Sequence, residues 1–236
     1  MNVDSHTHPF QQRRCLEEME LYAETAIAKG LKGIVFNEHA PLCRKMDSHF
    51  LTMEELELYL ELGAVCREKY QGKLEITVGV EADYFPENID FLSKLIDRYR
   101  FAYVSASIHF HLPFWYERIG EVTPDKRTEL ALQATRDAVR SGFFNTVNHL
   151  DFFRMGQTVY EPEKFKDQYC ALFEEMVRHN VALEWNSSGF FREAPDAYPR
   201  SIVWEWSKAY PLRRTFGSDS HKAELIAYGL DRYPGE

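Results

Sequence analysis

The sequence predicts an α/β fold in which short parallel strands alternate with amphipathic helices. Mostly apolar segments rich in β-forming residues recur seven times, and a helical stretch follows each of them, which is the pattern of βαβ units. The chain has 236 residues, of which 44% are hydrophobic and 28% charged, as in a globular protein with one core. We therefore expect a single domain over residues 1–236, without a linker or an internal repeat.

The predicted elements are bounded by recognisable start and stop signals. Thr52 and Thr123 precede helical stretches, and Pro124 stands at a first-turn position. Gly30 and Gly142 stand where a left-handed C-cap is expected. The predicted strands cover residues 2–6, 33–37, 75–81, 103–108, 146–149, 182–186 and 215–218, and the predicted helices cover residues 16–29, 53–70, 89–98, 126–141, 162–179, 201–209 and 222–227.

Composition argues against several classes of protein. No apolar run approaches the roughly 20 residues that span a bilayer. The first ten residues show no secretory signal, and the four cysteines form no CxxC pair, so we expect a cytoplasmic protein with reduced thiols. A net charge of −9 argues against a nonspecific nucleic-acid surface. A small molecule is therefore the expected partner, and the oligomeric state cannot be predicted.

Residues that can bind a metal ion follow nearly every predicted strand. The carboxyl ends of parallel strands meet at one edge of a sheet, where active sites form. His6 and His8 are two residues apart, so their side chains project to the same side of an extended segment and can hold one cation. The other strand ends read NEH at 37–39, GVE at 79–81, SIH at 107–109, NHLD at 148–151 and GSDSH at 217–221.

These strand ends predict a metal centre. A single histidine at a strand end is more often a hydrogen-bonded structural residue than a ligand. Here, however, up to seven of the nine histidines fall at strand ends, which chance explains poorly. Imidazole and carboxylate groups suit zinc, manganese or iron, and a bridging carboxylate can hold two such ions.

The ordered segments DSHTH, NEHA, GVEADYF, SIHF, NHLD, NSSG and GSDSH resemble the polymerase and histidinol phosphatase (PHP) domain family. The resemblance covers almost the whole chain and is closest to histidinol-phosphate phosphatases. It implies a distorted (β/α)7 barrel with up to three metal ions. It also implies a phosphoric monoester hydrolase of histidine biosynthesis, in which a metal-bridged hydroxide attacks a small phosphate monoester.

The resemblance also implies the ligands of two ions. One ion would be bound by His6, His8, Glu81 and Asp219. The second would be bound by Glu81, His109 and His149, so that Glu81 bridges the pair.

The chain departs from the family at the third ion. His39 and His221 match two of its ligands, but the histidine that completes the family's set is absent, and Arg14 stands about where it is expected. Either the guanidinium takes the place of the cation, or Cys15 or Glu17 completes the set by a shifted register. We favour the guanidinium, and we therefore expect two tightly bound ions and a weak third.

The phosphate group needs positive charge around its oxygens. Arg154, after NHLDFF, and Arg192, after NSSGFF, stand near positions where the resemblance implies phosphate-binding arginines. Together with Glu81 and Asp219 they are the expected catalytic residues, although either arginine could equally be a solvated loop residue.

Three alternatives stay open at this point. The chain could hydrolyse a different small phosphoester on the same fold, or it could be a weakly catalytic metal-binding PHP module, which the missing histidine favours. The third alternative is an amidohydrolase that acts on a C–N bond. Such enzymes usually have a lysine that bridges the metal ions, but the equivalent position here is Glu81. Metal analysis and a screen for phosphate release would separate these alternatives.

Overall fold

The computed structural model describes residues 2–44, 49–155, 159–192 and 196–235. Its centre is a parallel sheet of seven strands in sequence order, as the βαβ pattern predicts. Strands β2 and β3 pair in register from Gly33 with Glu75 to His39 with Glu81, which sets two predicted ligands side by side. The strands are β1 (Val3–Thr7), β2 (Gly33–His39), β3 (Glu75–Asp83), β4 (Val104–Ser107), β5 (Thr146–Val147), β6 (Ala182–Asn186) and β7 (Arg214–Gly217).

The sheet curls into a nearly closed barrel because its first and last strands meet. The amide of His8 donates to the carbonyl of Ser220 at 2.8 Å, and the amide of Asp219 donates to that of His6 at 2.9 Å. This contact places the His6–His8 pair beside the GSDSH segment, which lies more than 200 residues away along the chain.

In the described part of the chain, seven α-helices connect the strands, and the predicted caps at Thr52, Thr123 and Gly142 are present. Thr52 and Glu55 form a capping box at the start of α2, and the Thr123 hydroxyl accepts from the amide of Lys126 at the start of α5. Gly142 ends α5 in the left-handed conformation. The helices are α1 (Leu16–Ala28), α2 (Met53–Lys69), α3 (Ile89–Tyr99), α4 (Pro113–Ile119), α5 (Pro124–Ser141), α6 (Lys166–Arg178) and α7 (Ser201–Ser207).

The clearest differences from the sequence prediction lie in two segments. Helix α4 was not predicted, and its Phe114 and Trp115 pack on Phe85 and Phe110 at centroid distances of 3.8 and 4.3 Å. The predicted helix at 222–227 is wrong, because only a 3-10 turn at Ala223–Leu225 forms. The amide of Ala227 instead donates to the buried carboxylate of Asp4, which ends the turn.

Alternation along β3 shows how the strands position the site. Val78, Val80 and their neighbours of the same parity belong to the apolar cluster that the helices cover. Glu81 and Asp83 have the opposite parity and face the polar interior, where Ser107 lies within hydrogen-bonding distance of Glu81. The barrel interior is therefore the place where ionisable groups collect.

Within the described ranges, no helix is both long and apolar enough to cross a membrane.

Candidate metal centre

Glu81 lies at the centre of the candidate site, buried to 1% exposure. Its Oε1 is 3.0 Å from His149 Nε2, and the Ser107 hydroxyl donates to the same oxygen. Its Oε2 is 2.9 Å from His39 Nδ1 and 3.3 Å from His6 Nε2. One carboxylate therefore faces side chains from four other strands or strand ends, as a bridging ligand must.

The other seven residues predicted as ligands gather with Glu81 at this end of the barrel. Asp219 Oδ1 lies 3.4 Å from His8 Nε2 and 3.7 Å from His6 Nε2. Among the described residues, four groups have ligand atoms within 4.8 Å of one another, and these are His6–His8–Glu81, Glu81–His109–His149, His8–His39–His221 and His39–Asp83–His109.

The cluster contains buried polar atoms that lack a hydrogen bond, as is expected of atoms that bind a cation. His39 Nδ1 and Glu81 Oε2 lie 2.9 Å apart and are both buried, yet neither makes a hydrogen bond. Burial raises the pKa of the Glu81 carboxyl, but electrostatic interaction with His39 and His6 outweighs burial and holds this pKa well below its usual range. An ionised, buried carboxylate without a hydrogen bond to one oxygen is suited to binding a divalent ion.

Two further buried carboxylates contact the Nδ1 atoms of predicted ligand histidines. Asp83 lies 2.9 Å from His109 Nδ1, and Glu184 lies 2.8 Å from His6 Nδ1. A carboxylate that accepts from Nδ1 leaves the Nε2 lone pair directed at the centre. Sequence reasoning missed both acids, although each stands two residues from another polar residue of its strand, in ITVGVEAD and ALEWN.

In the third of these groups, the residue beside His39 and His221 is His8, which also belongs to the first group, and neither Cys15 nor Glu17. Arg14 forms an ion pair with Glu55 at the start of α2, and Cys15 stands immediately before α1. The ring of His8 stacks on His221 at a centroid distance of 4.2 Å and on His39 at 4.6 Å. The structure thus groups His39 and His221 with His8.

A cavity of about 620 Å³ opens directly above the cluster. Its lining includes His109, Asp219 and other predicted ligands, together with the apolar side chains of Leu112 and Phe152. A larger cavity, of about 1070 Å³, lies at the opposite end of the barrel, beside the start of β3, and its described lining contains none of the predicted ligands. The ionisable groups therefore converge at the smaller cavity.

The two predicted arginines differ in their surroundings. Arg192 lines the cavity, with Nη2 3.3 Å from Asp219 Oδ2 and its guanidinium 5.2 Å from the centroid of the Phe152 ring. Arg154 is buried to 6% exposure, donates to the carbonyl of Ala197 at 3.0 Å and lies 3.4 Å from Asp151. Arg192 is therefore placed to meet a ligand in the cavity, whereas Arg154 holds the backbone before α7.

Comparisons with known proteins agree with this architecture. The sequence model of the PHP domain family matches residues 4–188. A probable histidinol-phosphatase of Deinococcus radiodurans is 25% identical over 95% of this chain and 88% of its own length. The histidinol-phosphatase of Bacillus subtilis is 24% identical over 98% of this chain and 97% of its own.

Two solved structures share the fold. A bacterial structure from Listeria monocytogenes superposes with a TM-score of 0.85, at 20% identity, over 98% of this chain and 99% of its own. The histidinol phosphate phosphatase of Lactococcus lactis, solved with zinc, L-histidinol and phosphate, superposes with a TM-score of 0.76, at 20% identity, over 98% of this chain and 91% of its own.

Proposed function

The chain belongs to the PHP domain family, and from that premise we propose that it is a metal-dependent phosphatase acting on a small phosphate monoester of the histidinol-phosphate type. The observation that carries the proposal is the convergence of six histidines, Glu81 and Asp219 beneath a cavity that Arg192 also lines. The names of the two curated relatives support the choice of substrate.

In this proposal, different residues of the site have different functions in phosphate hydrolysis. Divalent ions bound there would lower the pKa of a water molecule and offset negative charge on the phosphate oxygens. Arg192, held against Asp219 and Phe152, would donate two parallel hydrogen bonds to the phosphate. The apolar wall that includes Phe50, Leu112 and Phe152 would pack against the leaving alcohol.

A phosphate-release assay tests the proposal directly. The purified protein would be loaded in turn with zinc, manganese or iron(II) and supplied with L-histidinol phosphate, glycerol phosphate or p-nitrophenyl phosphate. We expect the highest kcat/KM with L-histidinol phosphate and loss of activity with a chelator. A higher kcat/KM with another ester would favour a different small phosphoester, and no release from any ester would favour a metal-binding module.

The first prediction compares the two arginines. Arg192→Ala should lower kcat/KM for phosphate release by about 10²-fold, because a donor to the charged phosphate is lost. Its metal content should stay at the parent level. Arg154→Ala should instead lower the melting temperature by about 6–12 °C, which corresponds to roughly 3 kcal/mol for a broken buried ion pair. Calorimetry and steady-state kinetics on both variants separate these effects, and parent-like kinetics for Arg192→Ala would exclude its role at the phosphate.

The second prediction concerns the number of ions. We expect two ions per chain to survive dialysis and a third to be lost. His8 offers one nitrogen to the ion that it shares with His6 and Glu81, which leaves His39 and His221 as a pair, and tight sites usually have three protein ligands. Elemental analysis after dialysis gives the count, and anomalous scattering locates each ion. A third ion at full occupancy beside His39 and His221 would contradict this expectation.

A further inference from the structure

Glu184 contacts ligands of both predicted ions through one carboxylate. It lies in the middle of β6 and is 0% exposed. Its Oε1 lies 2.8 Å from His6 Nδ1. Its Oε2 accepts from the backbone amide of His149 at 2.7 Å and from the side-chain amide of Asn186 at 2.9 Å. Each carboxylate oxygen therefore has its own partner, and the two metal ligands that it contacts come from different strand ends.

The neighbouring strand leaves space for this carboxylate. Gly217 ends β7, and a Cβ atom at this position would lie 1.9 Å from Glu184 Oε1 and 2.7 Å from the Cβ of His6. Real Cβ atoms do not approach other atoms so closely, so any larger residue would displace Glu184 or His6. The path of the Glu184 side chain thus depends on a glycine in β7.

The contact with Glu184 fixes the protonation pattern of His6. An ionised carboxylate only accepts hydrogen bonds, so His6 Nδ1 must carry a proton. The Nε2 of a neutral His6 then presents its lone pair toward Glu81 Oε2, 3.3 Å away. This is the tautomer that binds a metal ion through Nε2.

The contact with His149 acts on the backbone. His149 has a φ of +26°, in a region that residues other than glycine rarely adopt and that costs roughly 1–3 kcal/mol. The hydrogen bond from its amide to Glu184 Oε2 stabilises this conformation. In this conformation His149 Nε2 lies 3.0 Å from Glu81 Oε1.

We propose that Glu184 is a positioning residue that presents His6 to one ion and His149 to the other, so that the affinities of the two ion sites depend on a single carboxylate. The inference rests on the metal dependence in the proposed function, but it concerns metal affinity and not the substrate. Phosphate release by the parent protein is therefore tested independently of it.

Glu184→Gln is the informative variant because it keeps the shape of the side chain. Glutamine has one acceptor oxygen and one NH₂ group. If the oxygen faces His149 and Asn186, the NH₂ donates to His6 Nδ1 and places the His6 proton on Nε2, where the ion should bind. If the glutamine is reversed, the NH₂ faces two other donors. Either orientation impairs one of the two ligands.

The experiment measures zinc affinity by competition with a chromophoric chelator and records the visible spectrum of the cobalt(II)-loaded protein. We expect Glu184→Gln to bind zinc about 10–100-fold more weakly than the parent and to change the cobalt spectrum. Glu175→Gln is the matched control, since Glu175 is a buried carboxylate on α6 that pairs with Arg140 and Arg178. The control should keep the parent zinc affinity even if it loses stability.

Zinc affinity of Glu184→Gln within about threefold of the parent, with an unchanged cobalt spectrum, would overturn the proposal, as would an equal loss in Glu175→Gln. Should Glu184→Gln fail to fold, nitrogen-15 NMR of the zinc-loaded parent decides. A proton on His6 Nδ1 with zinc on Nε2 supports the role of Glu184, and zinc on Nδ1 refutes it.

Discussion

Glu81→Gln will lower kcat/KM for phosphate release by about 10³-fold or more and will release metal at the same time. Glu81 Oε1 faces His149, whereas Oε2 faces His6 and His39, so the carboxylate is the one group shared by the two predicted ion sites. An amide has a single weak ligand oxygen, and its NH₂ would face histidine nitrogens or a cation. Both ion sites are therefore weakened by one substitution.

Elemental analysis and phosphate-release kinetics on the same preparation test this result. Glu175→Gln serves as the control, because it removes a buried carboxylate outside the centre. If Glu81→Gln retained two ions per chain and parent kinetics, the bridging role would be excluded. If it retained the ions but lost activity, Glu81 would act on the substrate and not on the metals.

The barrel could be predicted because it follows from the βαβ pattern, and the convergence of the eight proposed ligand residues follows from their positions at strand ends. A parallel sheet in sequence order brings its strand ends to one edge, so residues such as His39 and Glu81, far apart in sequence, had to meet. The bounds of β6 and the start of α2 agree with the predicted segments, since hydrophobic alternation and the Thr52 cap are local signals.

The different surroundings of the two arginines could not be predicted from sequence, because NHLDFFR and NSSGFFR present the same local pattern. The difference arises from the fold. Residues 152–154 form a 3-10 turn that brings Arg154 onto Asp151 and the carbonyl of Ala197. Arg192 follows the 3-10 helix at Ser187–Phe191 and reaches the cavity beside Asp219.

Glu184 escaped prediction for a similar reason. Its partners, His6 and His149, lie 178 and 35 residues away along the chain. Alternation in ALEWN indicates that one face of β6 is polar, but it does not show which ligands that face meets. The position of Arg14 also depends on a contact distant in sequence, its ion pair with Glu55, which the local pattern does not show. The single-domain and cytoplasmic assignments remain predictions.

Removing the metal should also destabilise the fold. Glu38, Glu81, Asp83, Glu184 and Asp219 are all buried within the same barrel end, at 5% exposure or less. Burying an ionised carboxylate is costly unless positive charge compensates it. Ions that bind only the folded state supply that charge, and their stabilisation grows with the logarithm of the ratio of free ion concentration to dissociation constant.

We therefore expect chelation to lower the melting temperature by about 15–30 °C. Each ion at a thousand times its dissociation constant contributes about 4 kcal/mol, so two ions contribute about 8 kcal/mol, and each kcal/mol shifts the melting temperature of a chain of this length by about 2–4 °C. Calorimetry of the chelator-treated and the zinc-loaded protein measures the shift. Glu81→Gln, which binds the ions poorly, should melt near the metal-free parent whether zinc is present or absent. A parent melting temperature unchanged by chelation, with metal removal verified by elemental analysis, would mean that the buried carboxylates are compensated by the protein's own histidines and Arg192, and that the ions contribute to chemistry alone.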